Sequence, residues 1–427
     1  VWDVAVVQLW LEAWEVGAGQ ADAGVLQEVD REVKPKPILI LGDTPDRFGG
    51  LSRVVRDIAG QLSRSPRFRV ATLGREGVGS RHLPFQQYSI RLLQGGEFGN
   101  YDIQKVWADF AGRERGIVLT IYDPTRTLWL SRPEFSGDPD LTTWLQQDHF
   151  DLWGYVTLDA TGPQDKLSVL QRESLLGYRR LLAYTKWGSG LIERSLGQGE
   201  ARKRHLDWLP HGLDLPKWPL RDKEEARARL HPFLHEGDVL VGAIGTNQPR
   251  KDWGLVASVC QLMASRNPRA RFWWHTDLVE RSWSLNALLT DFGLGGCTTV
   301  TADLTQEQLS WWLNACDLTL HPGLGEGFGY PIFESLASGT PVVHGDYGGG
   351  ADVLRQCGWE SMLVPPQAYR MEGTACQVRP VFDPGAWLDL AVTQLEPVDR
   401  EALRASVSYL DWTNLWPQWL KWFEEGL

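Results

Sequence analysis

Two glutamates, Glu326 and Glu334, are separated by seven residues that include Gly327, Phe328, Gly329, Tyr330 and Pro331. Glycines let a backbone approach a ligand closely, and a proline in this position suits the first turn of a helix. Free N–H groups at such a helix start favour anionic or hydroxyl-rich ligands. Arg250 and Lys251 form a second chemically loaded pair, behind the loop Gly245–Pro249. Two cations there suit a phosphate leaving group, whose negative charge grows as the bond to it breaks. The plain alternatives are a glycine-rich turn before an ordinary helix and a solvated basic turn.

The elements that must position these residues read as two α/β sets. Pro35 and Pro37 precede the apolar run Ile38–Leu41. A turn from Gly42 to Gly50 follows, and then Leu51, Val54, Val55, Ile58, Ala59 and Leu62 recur at helical spacing. Further apolar runs at 117–122, 155–158 and 181–184 alternate with helical text. After the prolines and glycine of 210–219, a second set begins with 239–244, 271–274, 318–320 and 341–343. Continuous apolar strands alternating with helices predict parallel sheets covered on both faces, with ligands beyond the strands' carboxyl ends. The expected fold class is therefore α/β, with two doubly wound Rossmann-like domains facing a central cleft. Residues 1–35 are read as an N-terminal extension, helical or partly ordered. Residues 36–215 form the first domain, joined by a returning helix near 410–427, and 216–409 form the second.

Composition removes several classes. The chain has 427 residues, 43% apolar and 23% charged, with a net charge of -11 that argues against a surface coated for nucleic acid. No run of about 18 apolar residues predicts a membrane span. Five scattered cysteines make no C-x-x-C pair, which points to a reducing, cytoplasmic setting. The start at Val1 shows no secretory pattern and suggests a trimmed or incomplete chain. His231-x-x-x-His235 is interrupted by Pro232 and lacks the glutamate of zinc proteases, and neither a Walker A lysine motif nor a G-x-S-x-G elbow occurs. Trp412, Trp416, Trp419 and Trp422 fall at helical spacing and predict a packing stripe.

The whole segment from Gly323 to Val343 resembles the E-x7-E signature of GT-B retaining glycosyltransferases of the large family 4 group. Other segments agree in order: Gly49-Gly50 through Arg53, Thr185–Ser189, Leu209–Asp214, Val241–Asp252, and Leu410 onward. The resemblance, which covers about 37–427, implies a metal-independent transferase that takes a nucleotide sugar, a UDP-sugar ahead of GDP- or ADP-sugars, with no further cofactor. It implies Glu326 on the donor sugar, Glu334 on the ribose, backbone N–H groups of Phe328 and Gly329 on the sugar, and Gly49 and Gly50 facing the diphosphate. Thr246, Asn247 and Gly327 complete the expected donor contacts. Thr246 stands where relatives usually carry an arginine, and Arg250 is expected to supply that charge. Many relatives also end a first-domain strand with a histidine near the reacting sugar. The strand read as equivalent, 117–122, ends in Tyr122-Asp123. Asp123 therefore joins Glu326, Arg250 and Lys251 as the expected catalytic set. Tyr122, His149, Asp159 and Arg53 are acceptor-side candidates, with strand-end capping as the plain alternative for the two aspartates and the histidine.

The acceptor expected from the resemblance is a glycan or glycolipid. A second possibility is a hydroxymethylated DNA base, as for some phage enzymes, or another anionic acceptor such as a lipid phosphate at a membrane surface. It is motivated by Arg47, Arg53, Arg56, Arg64, Arg67, Arg69, Arg75, Arg81 and Arg91, which face only Asp57 and Glu76 over that stretch. A non-catalytic sugar-nucleotide-binding relative is the third.

Overall fold

The computed structural model describes residues 34–427 except 48, 76–81, 92–95, 231–232, 279–281 and 374–375. The extension at 1–33 and the His231 spacing lie outside the described residues. Lys36–Leu427 form one compact unit.

The first sheet holds β1 (Lys36–Asp43), β2 (Phe68–Arg75), β3 (Gln86–Ser89), β4 (Gly116–Thr120), β5 (Phe150–Val156), β6 (Arg180–Ala183) and β7 (Asp207–Trp208). Their order is β3-β2-β1-β4-β5-β6-β7, every pairing parallel. The second holds β8 (Val239–Ile244), β9 (Ala270–His275), β10 (Thr298–Thr301), β11 (Leu318–His321), β12 (Val342–Gly345) and β13 (Leu363–Val364), again all parallel, ordered β10-β9-β8-β11-β12-β13. Both orders reverse beside their first strand, which is where doubly wound sheets open a ligand crevice.

The aliphatic runs explain the layering. Ile38 and Ile40 join one core cluster and Leu39 and Leu41 another, so alternate side chains of β1 serve opposite helical layers. Helix α1 (Gly50–Leu62) buries Val54, Val55, Ile58, Ala59 and Leu62 against the first of these layers. Helices α2 (Lys186–Leu196), α3 (Trp253–Arg266), α4 (Tyr330–Ala337) and α5 (Gly348–Gln356) each start just beyond a strand's carboxyl end and so bring their first turns to the cleft.

Helix α6 (Trp412–Glu424) returns to the first sheet. Trp419 packs on Tyr155 with centroids 4.8 Å apart, Trp422 on Trp153 at 5.0 Å, and Phe423 on Phe68 at 6.0 Å. Asp411 caps the helix at Thr413 N (2.8 Å) and accepts from Leu215 N (3.1 Å), tying the linker to the returning segment. Trp412, Trp419 and Trp422 are buried and Trp416 is half-buried, so the tryptophan stripe packs.

An antiparallel hairpin, β14 (Ala368–Glu372) and β15 (Gln377–Val381), leaves the second sheet after β13. Val378 N donates to Thr161 O at 2.8 Å, so the hairpin reaches across to the first domain. No helix among the described residues is long and apolar enough to cross a membrane.

Candidate functional site

Arg250 and Lys251 lie in a single 3-10 turn started by Pro249, directly after β8. Asp252 follows in the left-handed region, φ 43°, and caps α3 by accepting from Leu255 N at 3.2 Å. That sharp reversal turns both cations into the cleft. Arg250 Nη1 donates to Gly325 O at 3.0 Å and lies 3.4 Å from Glu326 Oε2, while its Nε is 3.5 Å from Asp159 Oδ2. Lys251 Nζ pairs with the same Glu326 oxygen. Four charged groups from both domains therefore meet at one point.

Glu326 is half-buried. Burial opposes its ionisation, but Lys251 and Arg250 override this and hold its pKa at about 2. Burial lowers the Lys251 pKa, with Glu326 opposing the shift. The cavity beside this cluster, lined by Gly245, Lys251, His321, Glu326 and His344 among others, encloses about 20 Å³. That is roughly one water's room.

The glycines make the approach possible. A Cβ at Gly325 would lie 1.8 Å from Arg379 Nη1 and 2.2 Å from Asp159 O, so no other residue fits there. Gly329 has φ +94° at the N-cap of α4, a conformation glycine adopts without strain. The Phe328 ring packs on His211 (4.6 Å) and Phe333 (4.9 Å), which locks the loop from beneath. Gly327 lies against Asp159, its notional Cβ 3.1 Å from Oδ1. At Gly50 a Cβ would meet nothing within 4 Å, and at Gly49 only Ser52 Oγ at 3.7 Å.

Glu334, on α4, is buried and pairs with Arg53 of α1, whose guanidinium also lies 4.1 Å over the Tyr330 ring. Burial raises the Glu334 pKa, and Arg53 opposes this. Arg53→Ala leaves that carboxylate buried without its cation. The expected cost is about 3 kcal/mol of stability, read as a lower unfolding midpoint in urea at neutral pH. Unchanged stability would contradict the pairing.

Four sequence expectations need correction. Tyr122 is core: its hydroxyl donates to Gly42 O at 2.6 Å and its ring meets Phe98 edge-on at 5.6 Å. His149 lies just before β5, at the opposite end of the strand from the cleft, stacked on Trp144 at 4.5 Å. Asp123 accepts from Thr125 N at 2.9 Å and Gln171 Nε2 at 3.1 Å, so it caps a turn instead of joining Glu326. Asn247 is fully buried, exchanging hydrogen bonds with Trp283 N and O, both at 2.9 Å, which staples a loop, whereas its neighbour Thr246 is exposed. Of the strand-end candidates, Asp159 beyond β5 is the one that reaches the charged cluster.

Other residues at the site went unread in the sequence. Arg379 of β15 is buried and donates to Asp159 O (3.2 Å) and Leu324 O (3.3 Å), clamping the two sides together. Tyr184 is 5% exposed, and among the described residues its hydroxyl finds no hydrogen-bond partner. Both Asp159 and Asp43 lie within its electrostatic reach. His321 and His344 end β11 and β12, with His344 Nδ1 2.6 Å from His321 O.

Burial holds three histidines neutral: it pushes His321 down to about 3, lowers His344, and takes His211 well below 6.5 with help from Arg53. The unfolded chain takes up these protons below about pH 6.5 and the folded one does not. Their contribution is therefore intact above 6.5 and is lost as pH falls toward the folded values. Each histidine should cost up to about 1.4 kcal/mol per pH unit in that window. Calorimetric melting between pH 7 and 5 should show a falling midpoint, and a flat profile would contradict this.

Comparisons with known proteins agree with this fold. Residues 238–376 match the family model described as "Glycosyl transferases group 1". A D-inositol 3-phosphate glycosyltransferase of Nocardia farcinica is 28% identical over 172 residues, 38% of this chain and 37% of that protein. One from Nocardioides is 32% identical over 180 residues, 39% and 38% respectively. The chain thus spans well under half the length of these curated relatives. Among solved structures, sucrose-phosphate synthase of Thermosynechococcus elongatus has TM-score 0.67 at 16% identity, covering 91% of this chain and 98% of that one. Anabaena HepE, solved with UDP-glucose, has TM-score 0.67 at 14% identity, covering 91% and 100%. The fold is GT-B, and residues 238–376 are similar to the group 1 glycosyltransferases.

Proposed function

We propose that the chain transfers a hexose-type sugar from a nucleotide sugar, a UDP-sugar first among them, to a hydroxyl of a glycan or glycolipid, with retention of anomeric configuration. The observation that carries this reading is Arg250, which joins Asp159 of the first domain to Glu326 and Gly325 of the second, with Lys251 beside it. In the loaded cleft the diphosphate takes Arg250 and Lys251, and Glu326 turns to the sugar's hydroxyls. The ribose hydroxyls take Glu334 from Arg53, beside the open turn Gly49-Gly50. The C1–oxygen bond to the diphosphate breaks as the acceptor oxygen attacks C1 from the same face. The acceptor proton passes to the departing phosphate, so no separate base is needed. The anomeric partial charge faces Asp159 and Glu326.

The arginine-rich stretch gives the DNA reading little support. Arg53 is spent on Glu334, Arg67 on Glu424, Arg69 on Glu114 and Arg91 on Asp102. Nucleotide release from UDP-glucose, with neutral glycans and with hydroxymethylated duplex DNA as acceptors, tests the proposal. Glycan-stimulated release is expected, whereas stimulation by DNA alone would replace the acceptor assignment.

A further inference from the structure

Beyond the charged cluster, on the side of the hairpin β14–β15, lies a cavity of about 750 Å³. That is within the ~300–1,000 Å³ of small-molecule sites. Three aromatic rings run along it in contact: Trp187 of α2 to Tyr347 at 6.2 Å, and Tyr347 to Tyr369 of β14 at 6.1 Å. Tyr347 is fixed, since its hydroxyl accepts from Thr161 N at 3.0 Å and donates to Val378 O. Tyr369 is 58% exposed, so its ring borders the cavity from the solvent side.

The cavity adjoins the reacting centre. Its Gly348 wall continues into Gly349 and Gly350, whose N–H groups donate to Glu326 O at 2.9 and 3.3 Å. Thr161, which also lines the cavity, is two residues beyond Asp159.

Two charge pairs and a capped carboxylate line the wall. Arg194 pairs with Asp165 at 2.9 Å, Arg355 pairs with Asp346, and Asp352 accepts from Trp187 N at 2.8 Å. Lys186 stands exposed at the rim. Paired charges keep hydrogen-bonding capacity for hydroxyl groups but offer little net attraction to a phosphate. Flat apolar rings beside polar partners match the C–H face and hydroxyl edge of a pyranose.

We propose that this cavity is the acceptor subsite and that it takes a neutral saccharide, held between Trp187 and the Tyr369 ring of the hairpin. The proposal rests on the glycosyltransferase reading above.

The test uses the full chain and UDP-glucose, with UDP affinity measured by calorimetry alongside. Acceptors are methyl hexosides, neutral disaccharides, inositol phosphate and hydroxymethylated duplex DNA. Neutral saccharides should stimulate UDP release saturably. Tyr369→Ala and Trp187→Ala should each raise the saccharide KM about tenfold, with UDP affinity unchanged. Because Tyr369 is largely exposed, its variant keeps the fold. Stimulation by inositol phosphate or DNA only, or a saccharide KM indifferent to both substitutions, overturns the subsite while leaving UDP binding intact. Failure of the native chain to bind UDP overturns the proposed function itself, and the subsite with it.

Discussion

Lys251→Met lowers turnover of the sugar donor by ~10²–10³-fold, the usual cost of removing one preorganised group from a developing oxyanion. Lys251 is positioned for this by the turn that Pro249 opens and Asp252 closes, so the charge is in place before the bond breaks. The loss should fall on kcat more than on KM, because the phosphate charge grows toward the transition state. Arg250 remains and sustains residual activity. The test is steady-state nucleotide release with Lys251→Met and Lys251→Arg. Equal activity in the native and Met forms would remove Lys251 from the mechanism.

Glu326→Gln has a double effect. On the proposed mechanism, turnover falls by about 100-fold or more, because the variant removes the carboxylate assigned to the sugar. Stability falls too, by about 3 kcal/mol, because Lys251 and Arg250 lose the anion that balances them in a buried place. The double variant Lys251→Met/Glu326→Gln recovers much of the stability and none of the activity. A non-catalytic sugar-nucleotide binder would show the stability pattern alone. Denaturant unfolding read beside turnover separates the two.

The strands that frame the cleft are legible because they are continuous aliphatic runs: Ile38–Leu41, Val239–Ile244 and Leu318–Leu320 lie within β1, β8 and β11. Glu326, Glu334, Arg250 and Lys251 are legible because their spacing, glycines and Pro331 are local. The rest depends on contacts between distant residues. Arg379 and Asp159 are 220 positions apart, and nothing in either segment announces the other. The hairpin is hard to read because its strands are short and charged and include Pro380, which suits an edge. Tyr122 and Asp123 illustrate how strand phase decides role. Tyr122 points into the apolar layer that holds Leu41 and Val118, and Asp123 is consumed by the turn that follows. Asn247 differs from Thr246 by one position, and that position faces the interior.

The central claim is that a nucleotide sugar reacts where Arg250 joins the two domains. The most direct measurement is nucleotide release from UDP-, GDP- and ADP-sugars by the native chain and by Glu326→Gln. The account predicts release from at least one of them, with UDP-sugars foremost, and its near-abolition in the variant. Absence of binding and release with all three classes, or release indifferent to Glu326, would contradict it.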